Sequence, residues 1–174
     1  MPDEAAPDRP KIRDIVTAAE LEGMATDSGM SEAEMGKLLA PFLGLSAGGA
    51  QMAAAAGEAL ADRFGLKHET AARTTLACSY PAAVKALVFA LASRRYGITT
   101  AFDTPKGAYF EAALPKDLWS MGGTLTFDLA EESPGTAMLS GASEVGQAWD
   151  WGKGKRALGA VMEKAEDFAR RLGG

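Results

Sequence analysis

From about Lys155 onward, Leu158, Val161, Met162, Ala165, Phe168, Ala169 and Leu172 recur at intervals of three and four, so they line one continuous face of a helix. No other pattern in the chain constrains the fold as strongly. A stripe of this kind must be buried against a second apolar surface, and the sequence ahead of it has to supply that surface.

The surface is expected from a set of strands. Beginning near His68, Thr70, Ala72, Thr74, Leu76 and Cys78 alternate with a second set in a β-branched run of period two. Ser79 and Pro81 then open a helix with Val84, Leu87, Val88 and Leu91 on one face. Arg94 and Arg95 suit the negative end of its dipole, and Gly97 is read as its stop. Four more strands are predicted at about 98–103, 108–114, 123–129 and 135–143, each bounded by Gly or Pro. Residues 104–107 and 131–135 are read as the hairpin turns. Leu125, Phe127 and Leu129 alternate with Thr124, Thr126 and Asp128, the pattern of an antiparallel strand with one face buried and one exposed. The expected fold class is α+β: a strand, a helix, four antiparallel strands and a helix, with both helices on one face of the sheet.

Ahead of this unit the texture is helical. Residues 1–10, with three prolines, read as a disordered leader; residues 11–66 form a helical extension, and residues 67–174 the α+β domain. A first helix is predicted over about 11–22, with Ile12, Ile15, Val16 and Ala19 on one face and Gly23 closing it. Ser31 and Glu34 make a capping box for a second, and Ser46 caps a third that reaches Phe64 and stops at Gly65. Helices this short gain stability by packing, either on the C-terminal unit or on another chain. An unidentified protein partner, or self-association through residues 11–66, is therefore expected.

Charge and composition exclude several functions. Residues 1–66 carry 5 basic and 11 acidic side chains, against 13 and 12 in residues 67–174, so neither part has the basic excess that duplex binding requires. Nucleic acid is not an expected partner. One cysteine, Cys78, and one histidine, His68, rule out an internal disulfide and a Cys/His zinc cluster, leaving oxygen ligands for any metal; no metal site and no cofactor is assigned. Residues 1–4 lack the basic and apolar regions of a secretory signal, which gives a cytoplasmic expectation. The stretch from Leu38 to Gly57 contains no charge, but it is dominated by Ala and Gly and interrupted by Pro41, Ser46 and Gln51. It is read as a packed helix rather than a membrane span.

The order of elements over residues 68–172 is similar to that of the START-like (helix-grip) and TATA-binding-protein-like folds. The step Ser79-Tyr80-Pro81-Ala82-Ala83-Val84 from first strand into helix resembles the corresponding step in START-like proteins, as does the long closing helix. That resemblance implies an apolar ligand held between sheet and long helix. Phe110, Leu125, Phe127, Trp149, Trp151, Met162 and Phe168 are the candidate side chains for it.

Two other groups carry possible chemistry. Gly152, Lys153, Gly154 and Lys155 combine glycine backbone N–H groups with cations at a helix start, an arrangement that can bind an anion. The plainer reading has Asp150 capping the helix and the lysines solvated. The carboxylates Asp103, Glu111, Asp117 and Asp128 lie in or beside strands, but nothing in their spacing pairs them for acid–base work. The leading expectation is a non-enzymatic binding or protein-interaction module. The alternatives are a small carrier of an apolar ligand and an enzyme using carboxylates.

Overall fold

The computed structural model describes residues 9–16, 31, 33–34, 70–116, 122–145 and 152–173. Within them the order is α1 (Ile12–Ile15), β1 (Thr70–Leu76), α2 (Tyr80–Ser93), β2 (Gly97–Thr104), β3 (Gly107–Leu114), β4 (Gly123–Ser133), β5 (Thr136–Val145) and α3 (Lys153–Leu172). The strands form one antiparallel sheet in the order β1-β5-β4-β3-β2. β2 to β5 make a meander of hairpins. β1 docks on the far side of β5, so α2 carries the chain from one edge of the sheet to the other.

Strand register puts the apolar residues in phase. Ala112 lies opposite Leu125, Phe110 opposite Phe127 and Ala108 opposite Leu129, with Gly141 and Leu139 continuing these rows into β5. All of these are buried, and α2 and α3 cover this inner face. The C-terminal stripe is realised up to its last member: Leu158, Val161, Met162, Ala165 and Ala169 are buried, Phe168 packs edge-on against Phe89 of α2 with ring centroids 5.5 Å apart, and Leu172, in the final turn, is exposed. Gly141 allows α3 to come this close. A Cβ there would stand 2.8 Å from Leu158 Cδ1 and 2.9 Å from Phe127 Cδ1, well inside carbon–carbon contact distance.

Four details correct the sequence reading. The first helix lasts one turn, because Val16 is extended (φ −108°, ψ 100°). Ile12, Ile15 and Val16 are β-branched and poor helix formers, and their burial beside α2 decides the local conformation instead. β1 stops at Leu76, with Cys78 in the bend that leads to the cap of α2 at Ser79. Gly97 does not stop α2 but opens β2. The stop is Arg95, left-handed at φ 58°, where Arg95 N–H donates to Ala92 O at 2.9 Å and Tyr96 N–H to Leu91 O at 3.0 Å. These two bonds are a Schellman closure, usually built on glycine. Finally, β4 continues through Glu131 to Ser133, and only Pro134 and Gly135 turn. Proline fixes a φ near −65° and Gly135 has φ 83°, the values a type II turn needs; a register shift between Glu131 and Ser133 absorbs the mismatch with strand twist.

The capping box forms as expected: the Ser31 hydroxyl and N–H both donate to Glu34 Oε2 at 3.0 Å, and Glu34 N–H donates to Ser31 Oγ at 3.3 Å. The helix read over 46–64 and the remainder of the second helix lie outside the described residues. Among the described residues, no helix is long and apolar enough to cross a membrane.

Candidate functional site

The apolar candidates divide by location. Phe110, Leu125 and Phe127 meet at the centre of the inner sheet face, each with 0% of its surface exposed. Met162 is buried in the same layer, while Phe168 lies half-buried at the outer seam between α2 and α3. Trp149 and Trp151 lie outside the described residues. At Gly141 the sheet and α3 approach closely: a Cβ there would stand within 3.0 Å of both Leu158 and Phe127.

At the start of α3, Gly152 is left-handed (φ 71°) and Gly154 is buried, while Lys155 is exposed. Lys153 Nζ donates to Pro115 O at 3.2 Å, which ties the helix start to the end of β3. Asp150 is outside the described residues. Two of the four carboxylates share a sheet face. Glu111 and Asp128 lie on the outer sheet face of neighbouring strands, two register positions apart, whereas Asp103 sits on the inner side and Asp117 is not among the described residues.

That outer face carries a row of side chains across all five strands: Arg73, Ser140, Asp128, Tyr109 and Phe102 are successive partners. Arg73 Nε donates to Ser140 Oγ at 3.1 Å, and the Phe102 and Tyr109 rings lie 4.9 Å apart. Asp128 is half-buried between them. Loss of hydration raises its pKa, and the nearby Lys106 and Arg73 oppose the rise.

A second polar group closes one end of the inner layer, and no sequence motif announced it. Tyr80, at the first position of α2, is 2% exposed. The Arg9 guanidinium lies 5.8 Å from its ring centroid, pairs with Glu131 at 3.6 Å and donates to Pro105 O at 2.6 Å. Ile12 N–H donates to Asp103 Oδ1 at 3.0 Å. Burial drives the Tyr80 pKa far up, helped by Asp103 and opposed by Arg9. Arg9, which falls within the leader read over residues 1–10, is thus docked on the domain. One signal was available: in β2, Asp103 has the same parity as buried Ala101. Cys78 is buried as expected of a small hydrophobe, and burial raises its thiol pKa.

Helices α2 and α3 present the third feature. Phe168 is flanked by Lys164 Nζ at 5.6 Å and the Arg171 guanidinium at 5.7 Å from its centroid, while Phe89 meets its edge. The two helices together hold Lys85, Lys153, Lys155, Arg156, Lys164, Arg170 and Arg171 against Glu163, Glu166 and Asp167. Glu166 accepts a hydrogen bond from Thr74 of β1, and Asp167 pairs with Arg170. The helical layer is basic although the chain is acidic overall.

No protein-family model matches the chain, and no curated protein or solved structure matches it either. The geometry defines an α+β protein with a five-stranded antiparallel sheet and two helices on one face, loosely compatible with a helix-grip-like arrangement.

Proposed function

We propose that the chain is a non-enzymatic interaction module that contacts a protein partner, a second copy of itself, through its N-terminal third. The observation that carries this reading is the close approach of α3 to the sheet at Gly141. There Phe127 and Leu158 leave no space for a methyl group added at Gly141, which favours working surfaces on the outside of the unit. The anchoring of Arg9 to Val16 supports the same reading: the segment leaving Val16 is held at that end by the buried Ile12, Ile15 and Val16, and it rejoins the domain at the edge strand β1. The carrier alternative needs room beneath α3, where these side chains are packed.

Light scattering on the full chain between about 1 and 500 μM tests the reading, a range that brackets the micromolar affinity common for transient contacts. A mass that rises above the single-chain 18.1 kDa with concentration is expected. A constant single-chain mass over the whole range overturns self-association.

A further inference from the structure

We infer that the seam between α2 and α3, centred on Phe168, docks the acidic stretch of residues 20–35 from a second copy of this chain. The inference rests on the interaction-module reading and gives it a site. Its structural half is the pairing of cations with a half-buried aromatic floor. Lys164 and Arg171 stand over Phe168 at 5.6 and 5.7 Å, and Phe89 lies edge-on at 5.5 Å. Arg171 is exposed, and Leu172 beside it is 40% exposed, the large hydrophobic side chain that the described residues leave most open. A surface with an apolar centre and a cationic rim fits a segment that is acidic and apolar at once.

The chain contains one. Residues 20–35 hold Glu20, Glu22, Asp27, Glu32 and Glu34 with no Lys or Arg, interspersed with Leu21, Met24, Met30 and Met35. Methionine sulfur packs favourably at aromatic edges, and carboxylates complement the rim. Ser31, Ala33 and Glu34, the described part of this stretch, are exposed, so they are accessible to another molecule. A copy-to-copy arrangement also accounts for the charge division of the chain, with its acidic excess in residues 1–66 and its basic excess on two helices. Because each copy has both a seam and an acidic stretch, two copies can satisfy one another reciprocally.

A charge-swap experiment on the full chain tests this. Variant one carries Lys164→Glu and Arg171→Glu; variant two carries Glu20→Lys, Glu22→Lys and Glu32→Lys. Circular dichroism checks that both stay folded. In 50 mM salt, each variant alone is expected to lose self-association at least tenfold in Kd, and an equimolar mixture is expected to regain it, because the mutant seam then faces the mutant stretch and the wild-type seam the wild-type stretch. Raising salt to 0.5 M should weaken the wild-type complex. Wild-type association with no loss in either variant overturns the seam while leaving the interaction reading intact, as does loss in both without recovery in the mixture. A wild-type chain that does not associate overturns both.

Discussion

Replacement of Gly141 by alanine probes the packing on which the account depends. The new methyl would lie 2.8 Å from Leu158 Cδ1 and 2.9 and 3.0 Å from two Phe127 ring carbons. Favourable carbon–carbon contact begins at about 3.5–4.0 Å, so α3 or the ring must give by up to about 1 Å. Neither has free space, since Leu158 is 1% and Phe127 0% exposed. Overpacking of this kind costs about 1–3 kcal/mol. Alanine in place of glycine within a strand recovers about 0.5–1 kcal/mol, which leaves a net loss of about 1–2 kcal/mol. Leu158→Ala alone should cost about 3–5 kcal/mol through lost burial and a residual cavity. In the double variant the alanine methyl occupies part of the space that Leu158 vacates. The combined loss should therefore fall short of additivity by about 1 kcal/mol or more, beyond the few tenths seen for independent sites. Urea unfolding followed by circular dichroism supplies all three values. A neutral or stabilised Gly141→Ala, together with additive behaviour in the pair, would mean that the layer is loose and that the argument from a solid centre fails.

Other consequences are equally specific. Asp128 binds its proton more tightly folded than unfolded, so its charge weakens the fold above the folded pKa and ceases to matter below the ordinary carboxylate range near pH 4. Asp128→Asn should accordingly raise Tm at pH 7 and leave it unchanged near pH 3; equal shifts at both pH values would contradict the assignment. Tyr80 keeps its proton in the folded state after an unfolded tyrosine, with a pKa near 10, has lost it, so stability should decline as pH climbs above about 10. Tyr80→Phe should flatten that alkaline decline in melting curves taken between pH 8 and 11, and an unchanged slope would count against burial as the cause. Arg95→Gly relieves a left-handed arginine that costs about 1–2 kcal/mol, an advantage reduced by the entropy of glycine in the unfolded chain, so a gain of about 0.5–1 kcal/mol in urea unfolding is expected. A loss would show that the arginine side chain itself holds the turn.

Period and punctuation carried much of the architecture. The alternation through Leu125, Phe127 and Leu129 and the stripe from Leu158 to Ala169 are local patterns, each set by the geometry of a single element, and both were realised, while Leu172 at the stripe's end is exposed. What escaped was non-local. Nothing in residues 70–76 says that this strand pairs with β5, because that choice depends on where α2 delivers the chain. Glu131, Glu132 and Ser133 have turn-like character, yet cross-strand pairing with β5 holds them extended. Val16 looked helical by spacing and is extended, and Arg95 took the left-handed position that a reading by residue type gave to Gly97. The site was less legible still. The row from Arg73 to Phe102 draws one residue from each of five strands, and the contact of Arg9 with Tyr80 and Glu131 joins residues far apart in sequence. Such groupings exist only once the register is known. The candidates Phe110, Leu125 and Phe127 were readable as apolar inward positions, but whether they surround a space or fill it depends on how closely α3 approaches Gly141.

The most direct test of the central claim, a packed interior with function on the outer surfaces, is native mass spectrometry of the full chain purified from its own host. The account predicts the bare 18.1 kDa chain and whole-number multiples of it. A chain that carries an additional few hundred daltons, removed by organic solvent, would place a ligand inside the fold and contradict it.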